Sequence, residues 1–81
     1  MPPTSEIERF CTARLAAMLE IDEAGIAPMT SFASLGLDSA AAVHFVLEVE
    51  QEYGVELYPG VTQDYPTIAQ FAEHLAGAAA P

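Results

Sequence analysis

Apolar residues recur at helical spacing three times along the chain, and no stretch makes a convincing strand. The first stripe is Ile7, Phe10, Cys11, Leu15, Met18 and Leu19. Ser5 followed by Glu8 has the spacing of a capping box, so this helix is expected to begin near Ser5. A second helix is expected from Asp38-Ser39 to about Tyr53, with Val43, Val46, Leu47, Val49 and Tyr53 as its buried positions. Alanines 40 to 42 favour helix there, and Gly54 stands where a left-handed cap residue belongs. The third stripe, Ile68, Phe71, Ala72 and Leu75, has i, i+3, i+4, i+7 spacing. Pro66 keeps Tyr65 out of that helix, and Thr67 caps it with Gln70 three residues on.

Residues 20 to 37 read as a long loop pinned by Ile21, Ile26, Phe32 and Leu35, with Phe32 deepest. Leu57-Tyr58-Pro59-Gly60 reads as a turn, and residues 61 to 65 as a short helical turn. Helices with one apolar face each must bury those faces against one another. The expected fold is all-α, a small antiparallel bundle in one domain spanning residues 1–81. Its ordered core covers about 5–76, between loose ends at Met1-Pro2-Pro3 and from Gly77 onward. The alanine tail is also able to extend the last helix.

Charge narrows the range of partners. Twelve acidic residues face two arginines, Arg9 and Arg14, and no lysine, for a net charge of −10. Phosphate backbones and anionic membranes repel such a surface, and basic protein surfaces complement it. Apolar residues make up 52% of the chain, enough for a core, but no run is long enough to span a bilayer. The lone cysteine, Cys11, allows no internal disulfide and lies in the first apolar stripe, so a buried thiol in a reducing cytoplasmic setting is expected.

The chemically informative segment is Leu35-Gly36-Leu37-Asp38-Ser39. A serine at a helix start is exposed, and the first N–H groups there lack helical partners. The helix dipole adds positive potential, so a phosphodiester on Ser39 would sit in a favourable field. Gly36 gives the loop the freedom to present that serine. Asp-Ser ahead of an alanine run is also ordinary capping, and a capping region is able to hold a modified serine as well.

Read whole, the chain resembles the acyl carrier protein family. Ser31-Phe32-Ala33-Ser34-Leu35-Gly36-Leu37-Asp38-Ser39 looks like the family's attachment motif. Glu52-Tyr53-Gly54-Val55-Glu56-Leu57 resembles the end of its second helix, and Tyr65-Pro66-Thr67-Ile68 the opening of the last helix in polyketide and nonribosomal peptide carriers. The resemblance runs from about Ile7 to Leu75. It implies a four-helix bundle of three main helices plus a short third one, with 4′-phosphopantetheine from coenzyme A attached to Ser39. It further implies that Asp38 helps the transferase bind magnesium with coenzyme A, while Gly36 and Leu37 complete the motif. Partners would read Ala40, Val43, His44, Leu47, Glu48 and Glu50. Those partners would be a phosphopantetheinyl transferase, a ketosynthase, and an acyltransferase or acyl-activating ligase. The carrier itself would catalyse nothing. Ala40 stands where the family usually has a large aliphatic residue, His44 where fatty-acid carriers often have glutamate, and Gly60, Thr62 and Gln63 where polyketide carriers have threonine and apolar residues.

The expected function is that of a discrete, monomeric acyl carrier of the polyketide kind. A peptidyl or aryl carrier of nonribosomal synthesis is the near alternative, and an unmodified acidic helical adaptor is the alternative from another class. An independent small enzyme is a distant third, because the sequence offers no coupled nucleophile, base and oxyanion site. His44 and His74 are single residues without metal-ligand spacing, and Asp22-Glu23 lacks the alternation of a calcium loop, so no metal site is expected. Glu48, Glu50 and Glu52 are expected to load the outer face of the second helix, and Tyr53, Tyr58 and Tyr65 to serve packing.

Overall fold

A computed structural model describes residues 2–78. Among the described residues, four α-helices, α1 (Thr4–Leu19), α2 (Ser39–Tyr53), α3 (Val61–Asp64) and α4 (Ile68–Ala78), form the expected bundle. A 3₁₀ turn, Glu23–Gly25, interrupts the loop between α1 and α2. No strand occurs among the described residues, only an isolated bridge between Ser31 and Thr67.

The start of α1 differs from expectation. Pro3, not Ser5, is the N-cap, and its carbonyl accepts from the N–H groups of Glu6 and Ile7 at 3.0 and 3.2 Å. The fixed φ of proline, −65° here, sets the entry ahead of Ser5. Ser5 is thus already inside the helix, and the capping box does not form. At the other end Glu20 adopts a left-handed φ of 55°, and Ile21 donates back to the Ala16 carbonyl at 3.0 Å. That sharp exit swings Ile21 outward. It is 43% exposed, so it is no pin, whereas Ile26 and Phe32 are buried and Leu35 half-buried.

Helix α2 begins and ends where the sequence places it, with Asp38 as N-cap and Gly54, φ 64°, as left-handed C-cap. Its buried face is different. Phe45, Val46 and Val49 are the buried residues, while Val43 and Leu47 are 50% and 51% exposed. At 3.6 residues per turn, positions 43 and 47 lie roughly a third of a turn or more from the centre of the 45–46–49 face. Phe45 meets Phe32 from the loop and Phe71 from α4, at ring-centroid distances of 5.7 and 5.4 Å, and Phe32 meets Phe71 edge-on at 5.7 Å. These three rings join three segments at the centre of the molecule.

Helices α1 and α2 run antiparallel. Phe10 packs edge-on against Tyr53 at 5.4 Å, and Arg14, one turn further along α1, pairs with Glu48, about one turn earlier on α2. The Thr67–Gln70 capping box of α4 forms as expected: Gln70 N–H donates to Thr67 Oγ1 at 3.1 Å and Thr67 N–H to Gln70 Oε1 at 3.3 Å. Ile68, Phe71, Ala72 and Leu75 are fully buried against α1 and the core. Gly77, expected in the loose end, belongs to α4. The expectations for residue 1 and residues 79–81 lie outside the described residues.

The corrected face of α2 makes a direct prediction. Phe45→Ala is expected to lower unfolding stability by about 3–5 kcal/mol, the cost of emptying a buried aromatic position. Leu47→Ala is expected to cost under about 1 kcal/mol, as for a half-exposed side chain. Urea unfolding followed by circular dichroism checks both values.

Candidate functional site

The loop leading to Ser39 is held at both edges. Phe32 N–H donates to the Pro66 carbonyl at 2.9 Å, Ile68 N–H to Thr30 at 3.3 Å and Ala69 N–H to Pro28 at 2.8 Å, which ties the loop to the start of α4. Inside the loop the Phe32 carbonyl accepts from Leu35 at 3.2 Å and Leu37 at 3.3 Å. Ser31 Oγ accepts from Ser34 N–H at 3.0 Å, and Ser34 Oγ donates to the Ser31 carbonyl at 2.8 Å. Gly36 has a φ of +79°, and a Cβ there would meet nothing, so glycine is needed for the backbone conformation and not for space.

Asp38 and Ser39 divide two tasks between them. Asp38 Oδ1 accepts from Ala41 N–H at 2.8 Å, and the Asp38 carbonyl from Ala42 N–H at 2.8 Å. Capping is therefore done by Asp38, and the Ser39 hydroxyl is not spent on it. Ser39 is the first residue of α2 and is exposed, as is Ala40. The N–H groups of Ser39 and Ala40 remain without helical partners, at the positive end of the helix dipole.

Beside Ser39 lies a cleft of about 370 Å³. Phe32, Leu37 and Ala42 contribute apolar groups to its lining, and Thr62 and Gln63 of α3 contribute polar ones. From Ser39 along α2, Ala40, Val43, His44 and Leu47 are all exposed at i, i+3, i+4, i+7 spacing, so they share one outward stripe. Glu48 and Glu50 do not load the outer face as expected. Arg14 reaches across from α1 to both Glu48 oxygens, at 2.5 and 3.1 Å, and His44 Nε2 stands 3.4 Å from Glu48 Oε1. Glu50 Oε2 accepts from Leu57 N–H at 2.7 Å, because the chain folds back after Gly54. Both are half-buried, and Glu52 alone of the three is exposed. The hydrogen bonds and charge of Arg14 hold the Glu48 carboxyl below its ordinary value.

The remaining candidates fall elsewhere. His74 is not a free surface histidine: its ring stacks on Tyr65 at 4.1 Å and meets Tyr58 edge-on at 6.4 Å. The sequence carried no sign of that contact, since the partners sit on different elements. Tyr53 and Tyr65 serve packing as expected, and Tyr58 donates its hydroxyl to Asp64 Oδ2 at 2.7 Å. Among the described residues, no group of three or more His, Cys, Asp or Glu is placed to hold a metal. No described helix is long and apolar enough to cross a membrane.

An exposed serine at a helix tip, beside a cleft, is where the comparison with known proteins decides. The family model described as a phosphopantetheine attachment site matches residues 12–75, which include the whole segment around Ser39. The chain belongs to that family. A polyketide synthase of Bacillus subtilis, PksL, is 35% identical over 76 residues, covering 90% of this chain and 2% of the relative. A phenolphthiocerol/phthiocerol polyketide synthase from Mycobacterium tuberculosis is 35% identical over 77 residues of one of its subunits, covering 95% of this chain and 4% of the relative. The chain thus spans a small part of the length of these relatives. Among solved structures, a free-standing peptidyl carrier protein from Acinetobacter baumannii superposes with a TM-score of 0.86 at 30% identity, covering 91% of this chain and 92% of the other. An HMG-ACPI domain from the CurA module of Lyngbya majuscula gives 0.85 at 31% identity, covering 95% and 84%.

The carrier's prosthetic group is 4′-phosphopantetheine. The site fits it: a free hydroxyl for the ester, two N–H groups at the helix tip for the phosphate, and a cleft lined by both apolar and polar side chains. Carriers of this family work with the catalytic partners of synthases.

Cys11 stands apart from the site. It is fully buried, and burial, reinforced by Glu8, pushes its thiol up to about 12 from 9.0. A group with a raised folded value contributes stability that is complete below its unfolded value and is lost as pH rises toward the folded one. Folding stability is therefore expected to decline between pH 9 and about 12. Cys11→Ser is expected to flatten that decline. Denaturant melts across the alkaline range check this, and a decline equally steep in both proteins would refute it.

Proposed function

We propose that this chain tethers polyketide intermediates as thioesters on a 4′-phosphopantetheine arm at Ser39. It hands them between the catalytic domains or subunits of a synthase. The observation that carries this reading is the exposed Ser39 hydroxyl, left free because Asp38 does the capping. When bound, the arm supplies a thiol that holds an acyl group. The chain's own part is to hold the ester in a favourable field, to place the arm beside the cleft and to be recognised. In this reading its role is carriage and not catalysis.

Asp38 and the Gly36-Leu37 approach give a transferase its local landmark, with Asp38 meeting the magnesium ion that accompanies coenzyme A. Recognition runs along the outward stripe of Ala40, Val43, His44 and Leu47. Glu48 and Glu50 lie at its margin, their charge partly engaged within the molecule. A net charge of −10 steers basic partner surfaces toward the carrier. Those partners are a phosphopantetheinyl transferase, a ketosynthase, and an acyltransferase or acyl-activating ligase. The chain acts as one folded unit, in the cytoplasm. The structural likeness to a peptidyl carrier supports a second reading, in which the cargo is an aminoacyl group. The two readings separate by whether the loaded arm accepts an acyl group from an acyltransferase or an amino acid from an adenylating enzyme.

Incubation with coenzyme A and a broad-specificity phosphopantetheinyl transferase, followed by intact mass, tests the attachment. One pantetheinyl group is expected on the wild type and none on Ser39→Ala. An unmodified wild type with its fold intact contradicts the proposal and favours an adaptor without a prosthetic group.

A further inference from the structure

Helix α3 is four residues long, too short to be stable by itself, yet its Thr62 and Gln63 line the same cleft as Ser39. Something outside the helix must therefore hold it. Val61 anchors its first residue in the core. At its far end Tyr65, whose N–H donates to the Val61 carbonyl at 2.9 Å, lays its ring on His74 of α4 at 4.1 Å, with the two planes 16° apart. The same imidazole receives the edge of Tyr58 at 6.4 Å, and Tyr58 in turn donates its hydroxyl to Asp64, the last residue of α3, at 2.7 Å. One ring on α4 thus touches the aromatic residues flanking α3 on both sides.

We propose that His74 is a positioning residue for the attachment-site cleft: it clasps α3 through Tyr65 and Tyr58, and so fixes Thr62 and Gln63 where the amide groups of the arm meet them. The proposal rests on attachment at Ser39. The Gln63 amide and the Thr62 hydroxyl have donors and acceptors to exchange with an amide-bearing arm, and Phe32, Leu37 and Ala42 take its methyl and methylene groups. With the clasp released, α3 loses its aromatic hold on α4 and keeps its Val61 anchor, the Tyr58–Asp64 bond and its own backbone hydrogen bonds, so that its polar side chains no longer have a fixed place in the cleft lining.

Amide hydrogen exchange and ¹H–¹⁵N spectra of the wild type, His74→Ala and His74→Phe, each before and after pantetheinylation, test this. In His74→Ala, exchange at Asp64 and Tyr65 is expected to accelerate roughly three- to tenfold, the worth of one aromatic pair. Core amides of α1 and α2 keep their rates, and the displacement of the Thr62 and Gln63 resonances on arm attachment shrinks. Phenylalanine, which restores the stacking face, is expected to reverse both effects. Unchanged exchange at Asp64 and Tyr65, equal acceleration across all helices, or failure of phenylalanine to restore the clasp would each overturn the proposal. If the wild type gains no mass on incubation, attachment fails as a reading, while exchange in the unmodified proteins still decides whether His74 holds α3.

Discussion

The ring of Phe32 is the constraint on which the site depends. It sits in the core against Phe45 and Phe71, so a residue of the long loop is fixed to α2 and α4 together. Its backbone then organises the residues up to the start of α2: its N–H binds Pro66, and its carbonyl takes the N–H groups of Leu35 and Leu37. Gly36 turns the chain with a positive φ, and Asp38 arrives where its carboxylate caps α2. The position of Ser39 is thus set by an aromatic contact several residues away. A loop of this length would otherwise present its serine in many orientations, at an entropic cost to any partner that bound it.

Around that anchor, under the proposed function, the molecule separates stability from recognition by side of helix. The inner face of α2 carries Phe45, Val46 and Val49, and the opposite, outer stripe carries Ala40, Val43, His44 and Leu47. Arg14 braces α1 to α2 through Glu48. That brace draws part of the helix's negative charge inward. What faces outward on the stripe is consequently more apolar than the acidic composition suggests, and the unengaged carboxylates serve as a long-range field more than as contacts.

Much of this was legible in the sequence where local chemistry decides. The Asp38 cap, the Gly54 cap, the Thr67–Gln70 box and the buried face of α4 each depend on residues close to one another in the chain, and each lies where spacing places it. Illegible features depend on partners distant in sequence or on competition between equally good signals. Helix α2 is apolar around much of its circumference, so residue type alone did not choose Phe45 over Val43 and Leu47; the position of Phe32 and Phe71 did. The Ser5–Glu8 spacing predicts a start at Ser5, but the fixed dihedral of Pro3, expected in a loose end, sets the entry of α1 earlier. Ile21 looked like a pin, but the left-handed Glu20, a conformation that no glycine announced, turned it to solvent. Glu48 and Glu50 looked like a free acidic face because Arg14 is 34 positions away from one and the amide of Leu57 lies beyond a turn from the other.

Under the proposed attachment, the tip of α2 is open to the arm's phosphate because Asp38 satisfies the amides beyond it. Comparing ¹H–¹⁵N spectra of the unmodified and fully pantetheinylated protein tests this most directly. The amide resonances of Ser39 and Ala40 are expected to move furthest, downfield, as their N–H groups take up the phosphodiester, with α1 left in place. Ser39 and Ala40 amides that stay put in fully modified protein would contradict it.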